Sequence, residues 1–140
     1  MKIILDANVL VSALFGGPPR LAVIRAFKET VYISPRIEAE FQSLSVKLAR
    51  RLTPEKHRVW THVFLPSVIG QCDRVAVRRK VDICRDPKDN AYLSLALEIN
   101  ADILVSGDKD LQVLSENDLK KVGLAQLKIL NPRDFLQRFN

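Results

Sequence analysis

The sequence predicts an α/β protein with a parallel sheet of four or five short strands between two layers of helices, a three-layer α/β/α arrangement. Three observations lead to it. Short apolar runs at 2–5, 31–33, 102–105 and 127–130 alternate with stretches of helical periodicity. Helices open at Ser34-Pro35, Asp86-Pro87 and Asn131-Pro132, each a capping residue followed by proline at the first helical position. The segment from Ala91 to Leu97 is apolar nearly all round, so its helix is buried. Short strands separated by helices pair in parallel with both faces covered, and ligands then bind beyond the carboxyl ends of the strands.

Taken in order, Lys2 to Leu5 is a buried strand ended by Asp6, and residues 8–15 have helical spacing up to Gly16-Gly17-Pro18-Pro19. Leu21, Ile24, Ala26 and Phe27 mark a second amphipathic helix, and 31–33 a second strand. The helix opened by Ser34-Pro35 runs to about Arg51, with Ile37, Phe41, Leu44 and Leu48 as its apolar stripe and Glu40 at the stripe's edge. From Thr53 to Cys84 the pattern gives one helix over about 55–64, a break at Pro66, then basic irregular or helical structure. A helix from Asp86 to Ile99, a strand at 102–105, the turn Ser106-Gly107-Asp108-Lys109-Asp110, a strand at 127–130 and a terminal helix complete the chain.

At 140 residues the length fits one domain, 1–140, large enough to bury a core without disulfides or zinc. Hydrophobic residues make up 47% and charged residues 27%, which excludes a disordered chain. Cys72 and Cys84 are too few for a disulfide scaffold and are expected as buried thiols in a reducing cytoplasm. Asp6 and Asn8 interrupt what would otherwise resemble a signal sequence, and no apolar run reaches the length that spans a bilayer.

The net charge of +6 is uneven. Residues 47–85 hold 10 basic and 3 acidic side chains, whereas 86–140 hold 7 and 9. A basic segment upstream of an acidic cluster fits a polyanionic substrate, and it equally fits a solvated helix face. The basic candidates are Lys47, Arg50, Arg51, Lys56 and Arg58, with Arg74, Arg78, Arg79 and Lys80. Aromatic residues are only 6%, which argues against a base-stacking platform.

Asp6 and Asp108 each follow a strand and therefore project at the same sheet edge. Asp89 lies in the first turn of the buried helix, and Glu40 near the start of another that packs inward. Two carboxylates about 4 Å apart repel by roughly 4 kcal/mol at an effective dielectric of 20, so four together call for a cation, and oxygen ligands favour magnesium or manganese. Each acid also has a structural reading. Asp86 caps its helix and Asp89 favours the positive helix end. Asp108 and Asp110 suit a turn, and Glu40 a surface position. Asp6 alone has no capping partner evident in the sequence.

Together, L5-D6-A-N8-V-L-V, E40 after a Ser-Pro cap, R85-D86-P-K-D89-N90-A-Y-L and V105-S-G-D108-K-D110-L resemble the PIN-domain nucleases, most closely the toxin components of bacterial and archaeal toxin-antitoxin modules. The resemblance covers nearly the whole chain, including N131-P-R-D-F-L. It implies a three-layer PIN-like fold and an acidic pocket for one or two Mg2+ or Mn2+ ions. By position, Asp6, Glu40, Asp89 and Asp108 match the metal-binding acids, and Asn8, Ser106 and Asp110 the polar residues that support them; Ser106 stands where many relatives have threonine. Glu38, one near-turn from Glu40, is the alternative in that helix. The implied activity is hydrolysis of RNA phosphodiesters in the cytoplasm, with the basic residues holding the RNA backbone, and a cognate antitoxin or a second copy of the chain as possible protein partners.

Two other readings compete. L-D6-A-N8-V-L and S-G-D108-K-D110 loosely resemble haloacid-dehalogenase phosphatases, but Asn8 stands where the second acid is needed and the chain lacks room for a cap domain. A PIN-like RNA-binding module without activity is the non-enzymatic reading. His57 and His62, five residues apart, do not share a helix face and are not assigned to the chemistry.

Overall fold

A computed structural model describes residues 1–139. Five strands, β1 (Lys2–Leu5), β2 (Thr30–Ile33), β3 (Asp73–Arg74), β4 (Ile103–Val105) and β5 (Lys128–Leu130), form one parallel sheet in the order β3-β2-β1-β4-β5. β1 is central, and Ile3, Ile4, Val31, Ile33, Ile103, Leu104 and Val105 are buried. Strands covered on both faces need no alternation of polar residues, which is why they read as continuous apolar runs. Burying each such Ile or Leu contributes about 1.5–3 kcal/mol.

Helices flank the sheet: α1 (Ala7–Ser12), α2 (Gly17–Ala26), α3 (Pro35–Ala49), α4 (Pro54–Val59), α5 (Leu65–Gln71), α6 (Asn90–Ile99), α7 (Lys109–Gln112), α8 (Glu116–Lys121) and α9 (Pro132–Phe139). The expected caps form. Ser34 accepts the Ile37 N–H at the start of α3, Asp86 accepts the Lys88 N–H, and Asn131 accepts the Asp134 N–H. Gly16 and Gly17 have φ of +83° and +70°, a path between α1 and α2 that only glycine follows without strain.

At four points the structure departs from the expected elements or adds to them. Pro66 does not break its helix: a π turn over Trp60–Phe64 joins α4 to α5, with the Leu65 N–H reaching Trp60 O, and the widened turn accommodates the proline's missing donor. Trp60 holds this turn in the core, stacked on Phe64 at 4.6 Å and edge-on to Phe41 at 6.2 Å. The strand β3 was not foreseen because it has only two residues, nor were α7 and α8. α8 opens on a capping box in which Ser115 and Asp118 exchange hydrogen bonds. Finally, Cys72 is buried but Cys84 only half-buried. Among the described residues no single helix is long and apolar enough to cross a membrane.

Candidate active site

The sheet register sets the first contact of the site. Leu5 pairs with Val105, so Asp6 and Ser106 stand side by side at the carboxyl ends of the two central strands. Asp6 is buried, and its Oδ2 accepts the Ser106 hydroxyl at 2.6 Å. Its Oδ1 accepts the Asn8 N–H at 2.9 Å, so Asp6 caps α1, a partner that was not evident in the sequence. Asn8 itself is exposed. The Ser106 oxygen then accepts the Asp108 N–H at 3.0 Å, and Asp108 Oδ1 accepts the Asp110 N–H at 2.8 Å, which caps α7. One chain of hydrogen bonds thus orients Asp6, Ser106, Asp108 and Asp110.

Asp89 arrives from the other side. It closes a 3-10 turn (Pro87–Asp89) that Asp86 caps, directly before α6. The carboxylate oxygens of Asp89, Asp108 and Asp110 come within 4.8 Å of one another. Asp89 is 5% exposed, and its Oδ2 is buried without a hydrogen-bond partner among the described residues. Burial, and after it the Asp108 carboxyl, push the Asp89 pKa up to about 7. Cys84 lies in the same field: burial and the charges of Asp89, Asp108 and Asp110 push its thiol to about 11, so it is protonated at neutral pH and no nucleophile.

Glu40 and Asp6 form a second pair, joined by a residue that the sequence reading missed. The Tyr92 hydroxyl accepts the Ala7 N–H at 3.1 Å, donates to Glu40 Oε2 at 2.8 Å and lies 3.4 Å from Asp6 Oδ1. Tyr92 is 1% exposed. A tyrosine on the buried apolar side of α6 was the available signal, since a buried hydroxyl requires a partner. Glu38 points elsewhere, with Oε1 accepting from Arg74 Nη2 at 2.7 Å. Two residues apart on α3, the two glutamates meet different neighbours because a helix turns about 100° per residue.

The basic candidates do not form one surface. Arg50, at the end of α3, lines a groove with His57 and Thr61 of the α3–α4 corner, and Arg51, Lys56 and Arg58 are exposed nearby. Arg78, Arg79 and Lys80 lie apart from them on an extended segment beside α6.

An array of three carboxylates with one buried, unpartnered oxygen suits a hard divalent cation, which would satisfy that oxygen and neutralise the repulsion. Asp6, Asn8, Ser12 and Asp108 line an open cavity of about 440 Å³. The protein-family model that matches the sequence is the PIN domain, over residues 2–110. An uncharacterized protein of the archaeon Methanocaldococcus jannaschii is 34% identical over 148 aligned positions, covering 99% of this chain and 92% of that protein. PIN domains are generally nucleases and usually use divalent metal ions, which agrees with the acidic group found here. With the all-parallel sheet and the carboxylates at its carboxyl edge, the match over most of its length means that this chain belongs to the PIN-domain family.

Proposed function

We propose that the chain is a ribonuclease that hydrolyses RNA phosphodiester bonds with Mg2+ or Mn2+, and that it serves as the toxin of a toxin-antitoxin pair in the cytoplasm. The observation that carries the chemistry is the buried, unpartnered oxygen of Asp89 inside a three-carboxylate group at the sheet edge. Asp89, Asp108 and Asp110 would hold one divalent ion, with Asp6 and Glu40 as the acids of an adjacent position. When bound, such an ion would lower the pKa of a coordinated water and offset the negative charge on the phosphate oxygens. The protein's own share is orientation: Ser106 and the Asn8 N–H hold Asp6, Tyr92 holds Glu40, and the turn at Ser106 aims Asp108.

The test is incubation of single-stranded RNA with the purified protein in Mg2+, Mn2+ or chelator. Cleavage in metal alone supports the reading; release of phosphate from small monoesters instead would make it a phosphatase, and RNA binding without turnover an inactive module. A small DNA-binding protein encoded next to this gene, forming a complex that silences the nuclease, is the expected antitoxin.

Two further outcomes are expected. Tyr92→Phe removes only the hydroxyl and is expected to weaken Mn2+ binding by about 10–100-fold, the range for groups that orient metal ligands; calorimetric titration of the folded variant checks it. Replacing Arg50 and Arg51, or Arg78 and Arg79, by Ala is expected to flatten the dependence of RNA affinity on log salt by about 0.7 for each lost single-strand phosphate contact. An unchanged slope in one pair assigns that pair to solvent or to a protein partner.

A further inference from the structure

We propose that the cavity between the start of α3, the 76–82 segment and the start of α6 seats the RNA nucleotide adjoining the bond that is cut, and that Glu98 is the positioning residue of its basic wall. The inference rests on the ribonuclease reading and deepens it. The segment that forms this wall belongs to no helix or strand. Its backbone is held by α6 instead: the Arg78 and Arg79 N–H groups donate to Glu98 Oε1 at 2.6 and 3.3 Å, the Val81 N–H to Ser94 Oγ at 2.9 Å, and the Ile83 and Cys84 N–H groups to Asn90 Oδ1 at 3.1 and 2.9 Å. Asn90, Ser94 and Glu98 are four residues apart and so share one helix face. The segment therefore runs antiparallel to α6, clamped at three points.

Clamping the backbone through side chains of α6 leaves the basic side chains of the segment to face elsewhere. Arg79 and Lys80 line the cavity, together with Arg36 from α3, and among the described residues none of the three forms a salt bridge. Asp82 is the one carboxylate in the lining. Pro35, Val77 and Ala91 add apolar wall. A cavity of about 590 Å³ that combines an excess of cations with apolar wall matches an anionic phosphate joined to an aromatic base. Its position completes the case. Pro87 and Asn90, which bracket Asp89, line it, so it flanks the carboxylates on the Asp89 side. The 440 Å³ cavity flanks them on the Asp6 and Asp108 side and has no cationic lining residue. A single strand lying across both would bring a phosphate over the acids and be gripped from the basic side.

Binding of a fluorescent single-stranded RNA octamer is to be measured in chelator, and steady-state cleavage in Mn2+, for wild type, Glu98→Ala and Glu98→Gln, with amide hydrogen exchange over 78–84. Glu98→Ala is expected to lose protection at the Arg78 and Arg79 amides and to raise both Kd and KM about tenfold at unchanged kcat. Glu98→Gln keeps an oxygen acceptor and should restore both. Kd and KM within twofold of wild type once protection is lost overturn the cavity assignment, as does a fall in kcat at constant KM. Protection retained in Glu98→Ala overturns the role of Glu98. These outcomes all presuppose a wild type that cleaves RNA; a wild type that neither binds nor cleaves it overturns the ribonuclease reading itself.

Discussion

Asp6→Asn, Asp89→Asn and Asp108→Asn are each expected to lower metal-dependent RNA cleavage by more than about 100-fold, the upper range for losing a group that merely orients a ligand. Asparagine is the informative replacement because Asp6 and Asp108 are helix caps as well as candidate ligands. Asparagine caps a helix as well as aspartate does, so the fold is retained while a charged hard ligand becomes a neutral amide of nearly equal volume. A variant that keeps its circular dichroism and melting temperature but loses cleavage has lost a ligand. A rate within a few-fold of wild type would leave that residue as a cap alone. Asp110→Asn belongs in the same series, since the Asp110 carboxylate lies in one group with those of Asp89 and Asp108, whereas the family resemblance implies only a supporting role for it. Glu40→Gln should be impaired and Glu38→Gln should not, because Glu40 meets Tyr92 at the site while Glu38 is spent on Arg74. If those two exchange outcomes, the metal side of α3 has been misassigned.

What could be read in the sequence follows the range of the forces involved. The four longer strands and the capped starts of α3 and α9 were legible because strand burial and proline caps are local signals. β3 was not, since two exposed residues, Asp73 and Arg74, pair with Tyr32 and Ile33 only because the preceding helix delivers them there. The continuous α4–α5 path was hidden for a related reason: proline is a strong local breaker, and the packing of Trp60 against Phe41 and Phe64, which favours the widened turn, joins residues from two helices. At the site, Asp6 and Asp108 could be placed together from strand ends alone. How the remaining acids group could not, because it depends on which way α3 and α6 present Glu40 and Asp89 to the sheet. Tyr92 and Glu98 were passed over because each acts through backbone or side-chain partners far away in sequence.

Asp89 also carries the largest expected effect on stability. In metal-free protein its pKa stands near 7, raised by burial and by Asp108, against 3.8 for the free side chain. Between pH about 4 and 7 the folded state therefore keeps a proton that the unfolded state has released, so this group's contribution to stability falls as pH rises through that window and is flat above it. Two like charges about 5 Å apart repel by about 3 kcal/mol at an effective dielectric of 20, and solvent screening reduces this; a favourable helix-end contribution is only about 0.3–1 kcal/mol. Asp89→Asn in chelator is accordingly expected to be more stable than wild type at pH 8, on the order of 1 kcal/mol, with the difference vanishing toward pH 4. Magnesium should reverse the order, because an ion that binds only the folded state stabilises it more the more tightly it binds, with the logarithm of its affinity, and the variant lacks the carboxylate that offers the unpartnered oxygen. Denaturant melts of both proteins at pH 4 and pH 8, with chelator and with magnesium, decide the matter. Destabilisation of Asp89→Asn by the same amount under all four conditions would make Asp89 a structural residue of the turn before α6 and remove it from the metal site.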